Sequence, residues 1–288
     1  MILVTGATGH VGSELVRLFG EARTPARALI HSPDKAIQIK SLGLETALGD
    51  FEQPDTLDAA MDGCDHLFLL SPPNPGQPQQ EQNVIDAAKR AGVAHVVKLS
   101  VPGADPVAEL LFGRWHGQIE QYLAQSGLAH TLLRPNYFMQ NLLLSAQPVA
   151  DQGMLYGMTG EGRISYVDTR DIAAVAAQVL TSPGHEGNSY MLTGPGALSA
   201  GEVAEQLSAA TGRPVRYVDL PPGAFRQALA GAGLPGWLAD ALVAGNTRLA
   251  AGHGAGVTGE VARLTGRPPR TLGQFAADHW EAFGGQPS

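Results

Sequence analysis

The chain is predicted to be an α/β protein: a doubly wound parallel sheet of Rossmann type with a smaller, mostly helical C-terminal cap region. Three observations predict this. The stretch from Ile2 to Gly12 runs from three apolar residues into Gly6, Gly9 and Gly12, spaced G-x-x-G-x-x-G. Apolar strand runs then alternate with helical periods through the first half of the chain. Polar and Pro-rich loops follow those strands, at the edge where open α/β sheets bind ligands.

The opening unit is read first. Ile2–Val4 is a short buried-strand pattern, and Val11, Leu15, Val16, Leu18 and Phe19 form an apolar helical face behind the glycines. Strand, glycine turn and helix make a dinucleotide-binding unit. Gly6 lets the chain turn off the strand. Gly9 removes a side chain where a pyrophosphate approaches the backbone. Gly12 allows close helix–strand packing. The helix N-terminus then presents free N–H groups and a positive dipole end to the phosphates.

The later elements follow in order. Ala26–Ile30 reads as a second strand and Pro33–Leu42 as a helix with Ser32 before it. Leu44–Leu48 is a third strand ending at Gly49-Asp50, Pro54–Met61 a short helix, and Asp65–Leu70 a fourth strand. Ser71–Pro78 holds four prolines and reads as a loop. Gln79–Ala91 is helical, Val93–Leu99 a fifth strand, and a further helix reaches Gln125 before the sixth strand, Leu128–Leu133. Asp168–Leu180 is an alanine-rich helix expected to be buried, with Asp168 as its cap. Ser189–Leu192 is a short strand. Ser199–Thr211, Ala224–Ala230, Trp237–Ala244 and Leu272–Phe283 read as helices, and the glycine-dense Gly245–Gly259 as a mobile loop. The expected division is 1–183 for the dinucleotide-binding domain and 184–288 for the cap, interleaved as one unit.

Composition narrows the function classes. The chain has 288 residues, 44% hydrophobic and 16% charged, a globular profile. A net charge of −8 without a Lys/Arg run gives nucleic-acid binding no electrostatic support. The single Cys64 excludes an intrachain disulfide, and nine scattered histidines without a His-Glu-x-x-His pattern predict no metal site. No apolar run reaches membrane-spanning length, so no membrane association is expected. The chain enters its first strand at once, leaving no room for a leader, and the cytoplasm is the expected compartment.

Seven motifs together resemble one family. They are Thr5-Gly-Ala-Thr-Gly-His-Val-Gly12, Gly49-Asp50, Leu69-Leu-Ser-Pro-Pro73, Asn83 to Gly92, His116-Gly-Gln-Ile-Glu120, Leu132 to Asn141, and Asp168-Thr-Arg-Asp171. Over nearly its whole length the chain resembles the NmrA-like atypical short-chain dehydrogenase/reductases, especially the NAD(P)H:quinone oxidoreductase and triphenylmethane reductase types. The resemblance implies a bound nicotinamide cofactor. It places Gly6, Ala7, Thr8, Gly9, His10, Val11 and Gly12 around the pyrophosphate and Asp50 and Phe51 near the adenine. Ser71 and Pro72 line the cofactor's middle, and Asn136, Tyr137 and Phe138 lie near the nicotinamide or the substrate mouth. Ser100, ending the fifth strand, is added to the cofactor set. Read without the resemblance, Asp50 is a turn residue, and Tyr137 and Phe138 are core packing at a helix start.

NADP (as NADPH) is the favoured cofactor and NAD is retained as an alternative. NAD binders place an acidic residue at the end of the second strand to hold the ribose hydroxyls, and here that position reads Leu29-Ile30-His31-Ser32. In the family it resembles, many members carry an arginine where this chain has His31, which would pair the extra phosphate of NADP. His31, Ser32 and Lys35 offer a weaker phosphate pocket, and His31 is otherwise a solvated strand end.

The Tyr-x-x-x-Lys pair of typical short-chain dehydrogenases is missing: none of the six tyrosines has a lysine four residues on. The candidate acids are His116, expected to titrate near neutral pH, Tyr137 and, more distantly, Ser100 at the end of the fifth strand. His116 has a structural reading too, paired with Glu120 at i, i+4 on one helix face. Asp168, Arg170 and Asp171 read as structural. The expected activity is NAD(P)H-dependent hydride transfer to a quinone or similar conjugated electrophile. Two alternatives stand beside it: a non-catalytic NAD(P)-binding redox sensor with a protein partner, and a ketone or imine reductase. The sequence does not specify the oligomeric state.

Overall fold

A computed structural model describes residues 1–285. In chain order its elements are β1 Ile2–Val4, α1 His10–Ala22, β2 Ala26–Ile30, α2 Ala36–Ser41, β3 Glu45–Leu48, α3 Pro54–Met61, β4 His66–Leu69, α4 Gln77–Ala91, β5 His95–Leu99, α5 Leu111–Ser126 and β6 Ala129–Pro135. Then come α6 Ala146–Gln152, β7 Met154–Gly157, α7 Thr169–Thr181, β8 Ser189–Leu192, α8 Ala200–Thr211, β9 Arg216–Asp219, α9 Pro222–Gly231, α10 Gly236–Arg248, α11 Glu260–Thr265 and α12 Leu272–Asp278.

The chain forms two compact units. The first holds Met1–Pro135, Thr169–Met191 and Leu264–Gly266; the second holds Asn136–Asp168, Leu192–Arg263 and the chain from Arg267. The expected boundary at 183 falls inside the Thr169–Met191 segment of the first unit.

The first unit is the Rossmann sheet, seven strands in the order β3-β2-β1-β4-β5-β6-β8. Pairing is parallel from β3 through β6. Parallel strands are covered on both faces, which is why β1, β4 and β5 read as continuous apolar runs. Strand alternation divides their side chains. Leu3, Leu29, Leu67, Leu69 and Val96 join Leu57, Met61, Ile85, Ile119 and Leu123 from α3, α4 and α5 in one core. The intervening Val4, Phe68 and Val97 are fully buried as well. α1 packs on α7, and α7 lies against β4 and β5. The expected burial of α7 has its cause here: Ile172, Ala173, Val175, Ala176 and Val179 are all at 0% exposure.

The second unit has its own core, built around Met139, Leu155, Tyr166, Val203, Leu207, Leu272, Phe275 and Phe283. It contains a two-stranded parallel ribbon, β7 with β9, that the sequence reading did not include. Each strand has only four residues, too short for a clear period. Residues 33–42 form a 3₁₀ turn, Pro33–Lys35, before a short α2 rather than one helix. The last helix stops at Asp278, and a turn returns Phe283 to the core at 1% exposure. Gly245–Gly259 is not a free loop. α10 runs to Arg248, a π turn covers Leu249–His253, and the carbonyls beyond it are bonded. Gly254 O accepts from Ser165 N and Asn136 Nδ2, both at 2.9 Å, and Gly256 O from Ser165 Oγ at 2.6 Å. No helix among the described residues is long and apolar enough to cross a membrane.

Candidate functional site

The strand order reverses between β1 and β4, and the loops after those two strands flank the switch point. Thr5 fastens them together. Its backbone N–H donates to Phe68 O at 3.0 Å, its hydroxyl donates to Leu70 O at 2.9 Å, and that hydroxyl accepts from Leu70 N at 2.8 Å. Thr5 is completely buried. Nothing in the local pattern marked it except a β-branched polar residue between strand and glycine.

The three glycines have three different surroundings. Gly6 sits at φ +61°, and a Cβ there would lie 2.9 Å from Leu70 Cγ, so the turn off β1 needs glycine. A Cβ on Gly12 would lie 2.1 Å from Gly6 O, so α1 packs on the turn itself. Around Gly9 the nearest atom to such a Cβ is Gly6 O at 3.4 Å, an ordinary contact. The protein's own packing therefore does not require glycine at position 9. Gly9 is the N-cap of α1 without a side-chain cap, and the first turn carries no acid. An open backbone cradle at an uncapped helix N-terminus fits the pyrophosphate of a dinucleotide.

A groove of about 520 Å³ extends from this loop across the strand ends. It gathers eight of the expected residues: Gly6, Ala7, Thr8, His31, Asp50, Phe51, Ser71 and Pro72. Gly9 and His10 are exposed at the start of α1, while Val11 and Gly12 are buried beneath the loop. Asp50 both lines the groove and shapes a turn, its carboxylate accepting from Glu52 N at 2.9 Å and Gln53 Nε2 at 3.1 Å. Phe51 is partly buried against the sheet core, and its carbonyl accepts from Asn83 Nδ2 at 2.8 Å.

The end of β2 differs from its reading in one respect. The 3₁₀ turn brings a carboxylate back to the strand end: Asp34 accepts from the Ser32 hydroxyl and lies 3.8 Å from Lys35 Nζ. The two groups read as phosphate donors beside His31 are thus engaged by an exposed aspartate.

Beneath Ser71 lies a buried ionic cluster that the sequence reading missed. Lys98 on β5 and Glu81 on α4 form an ion pair at 2.6 Å with both side chains at 0% exposure. Glu81 also accepts from Ser71 Oγ at 2.8 Å and Gln77 Nε2 at 3.0 Å, and Lys98 donates to Leu99 O at 3.0 Å. The signal was present: a lysine inside an apolar strand run needs a buried counter-charge.

His116 and Glu120, one turn apart on α5, do not pair. Arg134 on β6 donates to both Glu120 carboxylate oxygens, at 3.0 and 2.5 Å, and Ser100 Oγ donates to Oε1 at 2.5 Å. A strand guanidinium held across both oxygens of the Glu120 carboxylate outcompetes an imidazole on the same helix. His116 Nδ1 is buried without a hydrogen-bond partner among the described residues. Burial, and then the charge of Lys98, hold its pKa well below the usual histidine range, so the expected titration near neutral pH gives way to a neutral ring.

Asn136, Tyr137 and Phe138 belong to the second unit. Asn136 Nδ2 donates to Ser165 Oγ at 2.7 Å. The Tyr137 ring meets Tyr166 edge-on at 5.6 Å, and burial raises its phenol pKa. Phe138 pairs with Val167 in a parallel bridge. Asp168 accepts from Gln140 Nε2 at 3.0 Å. Among the described residues, no cluster of three or more His, Cys, Asp or Glu could hold a metal ion.

Fold and groove define a dinucleotide-binding protein of the Rossmann class. The chain belongs to the NmrA-like family, whose model matches residues 1–249. It is 47% identical over 284 residues to an NAD(P)H azoreductase of Xenophilus azovorans, covering 99% of both chains. It is 39% identical over 284 residues to a (4-alkanoyl-5-oxo-2,5-dihydrofuran-3-yl)methyl phosphate reductase of Streptomyces griseus, covering 98% of this chain and 99% of the relative. Among solved structures, the NADPH-dependent quinone oxidoreductase of Escherichia coli complexed with NADPH superposes with a TM-score of 0.87 at 32% identity, over 96% of this chain and 99% of that one.

Proposed function

We propose that this protein is an NAD(P)H-dependent reductase of quinones and similar conjugated electrophiles, with NADPH as the favoured donor. The observation that carries the reading is the open cradle at Gly9 beside the switch-point groove, in a chain similar throughout to reductases. The bound nicotinamide supplies a hydride. The chain's own residues bind and orient: the loop from Gly6 to Gly12 holds the pyrophosphate, Asp50 and Phe51 flank the adenine, and Ser71 and Pro72 line the middle. Asn136, Tyr137 and Phe138 serve the nicotinamide and substrate.

No tyrosine is followed four residues on by lysine, so the usual phenol acid is missing. A quinone or another conjugated acceptor tolerates that loss, because the charge arriving with hydride is delocalised over the acceptor. His116 and Tyr137 are the candidate catalytic groups: the neutral His116 ring can donate an N–H hydrogen bond to the charge developing on the acceptor, and the Tyr137 phenol can give a proton. His116→Ala is expected to slow quinone turnover by about a hundred-fold while NADPH binding is unchanged. Unaltered turnover in steady-state kinetics would assign His116 to structure.

The reading is tested by following NADPH and NADH oxidation with a panel of quinones, azo dyes and ketones, alongside cofactor fluorescence. Quinone or azo turnover is expected, faster with NADPH. Binding without turnover of any acceptor would favour a dinucleotide sensor instead. His31→Asp, adding a carboxylate beside the expected 2′-phosphate position, should shift the NADPH/NADH ratio of kcat/KM toward NADH by about ten-fold. An unchanged ratio would mean that the end of β2 does not read the ribose.

A further inference from the structure

The two nitrogens of the His116 ring have different surroundings. Nδ1 is buried and meets no hydrogen-bond partner among the described residues. Nε2 is not enclosed in this way, and the residue as a whole is half-buried. The ring therefore turns one nitrogen into the first unit and the other toward accessible space.

The charge that acts on this ring is positive. Lys98 and Ser100 point to one face of β5, since alternate residues of a strand share a face. Lys98 meets Glu81 from α4 there, and Ser100 meets Glu120 from α5, one turn after His116. Lys98 Nζ spends two of its three N–H groups, on Glu81 Oε2 at 2.6 Å and Leu99 O at 3.0 Å. Its charge reaches His116. The carboxylates that could accept from the ring are engaged elsewhere: Glu81 by Lys98, Ser71 and Gln77, and Glu120 by Arg134 and Ser100. A proton on Nδ1 would be a buried N–H without an acceptor, on the side of a cation. A lone pair on Nδ1 faces the same cation favourably.

We infer that His116 is held as the tautomer with its proton on Nε2, that this N–H is the hydrogen bond it offers the acceptor, and that Lys98 is the positioning residue that sets it. The inference rests on the reading of the protein as a reductase and adds which ring atom acts. The ring keeps its proton throughout and hydrogen-bonds the atom on which negative charge arrives.

The test has a spectroscopic and a kinetic arm. In the full chain carrying isotope-labelled histidine, long-range proton–nitrogen correlation NMR is expected to show a pyrrole-type Nε2 and a pyridine-type Nδ1 for His116. Its signals are identified by their loss in His116→Ala. A protonated Nδ1 anywhere between about pH 6 and 8 would overturn the assignment. In Lys98→Met combined with Glu81→Gln, which removes the cation without stranding a buried carboxylate, the ring should take up a second proton at higher pH than in the wild type. An unchanged titration would remove Lys98 from the positioning role. In quinone turnover with saturating NADPH, His116→Gln, whose carboxamide nitrogen takes the place of Nε2, should keep kcat within about ten-fold of wild type. His116→Asn, which matches Nδ1 instead, should fall about a hundred-fold, as His116→Ala does. Equal rates for the two amide variants would overturn the Nε2 donor. If the wild-type chain turns over no quinone, the reductase reading fails, and the correlation spectrum alone decides the tautomer.

Discussion

Gly9→Val is expected to weaken dinucleotide binding severely while leaving the fold intact. The backbone at Gly9, φ −85° and ψ 176°, is open to any L-residue. A Cβ there meets nothing closer than 3.4 Å. The valine methyls would instead occupy the space above the loop and mask the N–H groups at the start of α1, where the pyrophosphate is expected. NADPH affinity should fall by on the order of a hundred-fold, about 2.7 kcal/mol. The melting temperature without nucleotide should stay within about 2 °C of wild type, since a substitution with no clash, cavity or lost bond is nearly neutral. Gly12→Ala makes the contrast. Its Cβ would press to 2.1 Å from Gly6 O, a backbone atom that cannot rotate away. Overpacking of that kind should cost about 3 kcal/mol of stability. Fluorescence titration and urea unfolding of the two variants separate the roles. If Gly9→Val binds NADPH as the wild type does, the loop does not cradle a pyrophosphate.

Lys98→Met should give the second large effect, this time on stability. It leaves Glu81 buried at 0% exposure without its cation. Breaking such a pair from one side costs about 3–5 kcal/mol, which in a chain of this size lowers the melting temperature by on the order of 10 °C. Lys98→Met combined with Glu81→Gln should recover most of the loss. The glutamine carbonyl still accepts from Ser71 and Gln77, and no buried charge remains. Urea unfolding of both variants reads the outcome. A single variant within about 1 kcal/mol of wild type would mean that Glu81 takes up a proton at little cost. The cluster also bears on the groove, because Glu81 holds the Ser71 hydroxyl at 2.8 Å. Lys98→Met should therefore weaken NADPH binding even under conditions where it is fully folded.

Much of the first unit was legible because its signals are local. The apolar run Ile2–Val4, the glycine spacing and the face of α1 lie within twenty-two residues of one another. The alternating strands and helices up to β6 need only period and punctuation. The groove was legible for the same reason: His31, Asp50 and Ser71 each follow the end of a strand. The second unit was less legible. Its ribbon strands are four residues each and pair across most of the unit, Met154 with Arg216. The Gly245–Gly259 stretch read as mobile by composition, but its carbonyls are fixed by Asn136 and Ser165, which are distant in sequence.

By itself the sequence determined the fold class, the glycine loop with the turn at Gly6 and the close packing at Gly12, and the strand-end positions that line the groove. The tertiary structure alone decided which charges meet. It joined Lys98 to Glu81 across 17 residues, Arg134 to Glu120 across 14, and Thr5 to Leu70 across 65. It took Glu120 away from His116 and left that imidazole neutral. It also left His116 Nδ1 buried without a hydrogen-bond partner among the described residues. Periodicity and turn chemistry are set by neighbours along the chain. The partner of a buried polar group is set by sheet order and helix packing, which bring together residues that no local pattern connects.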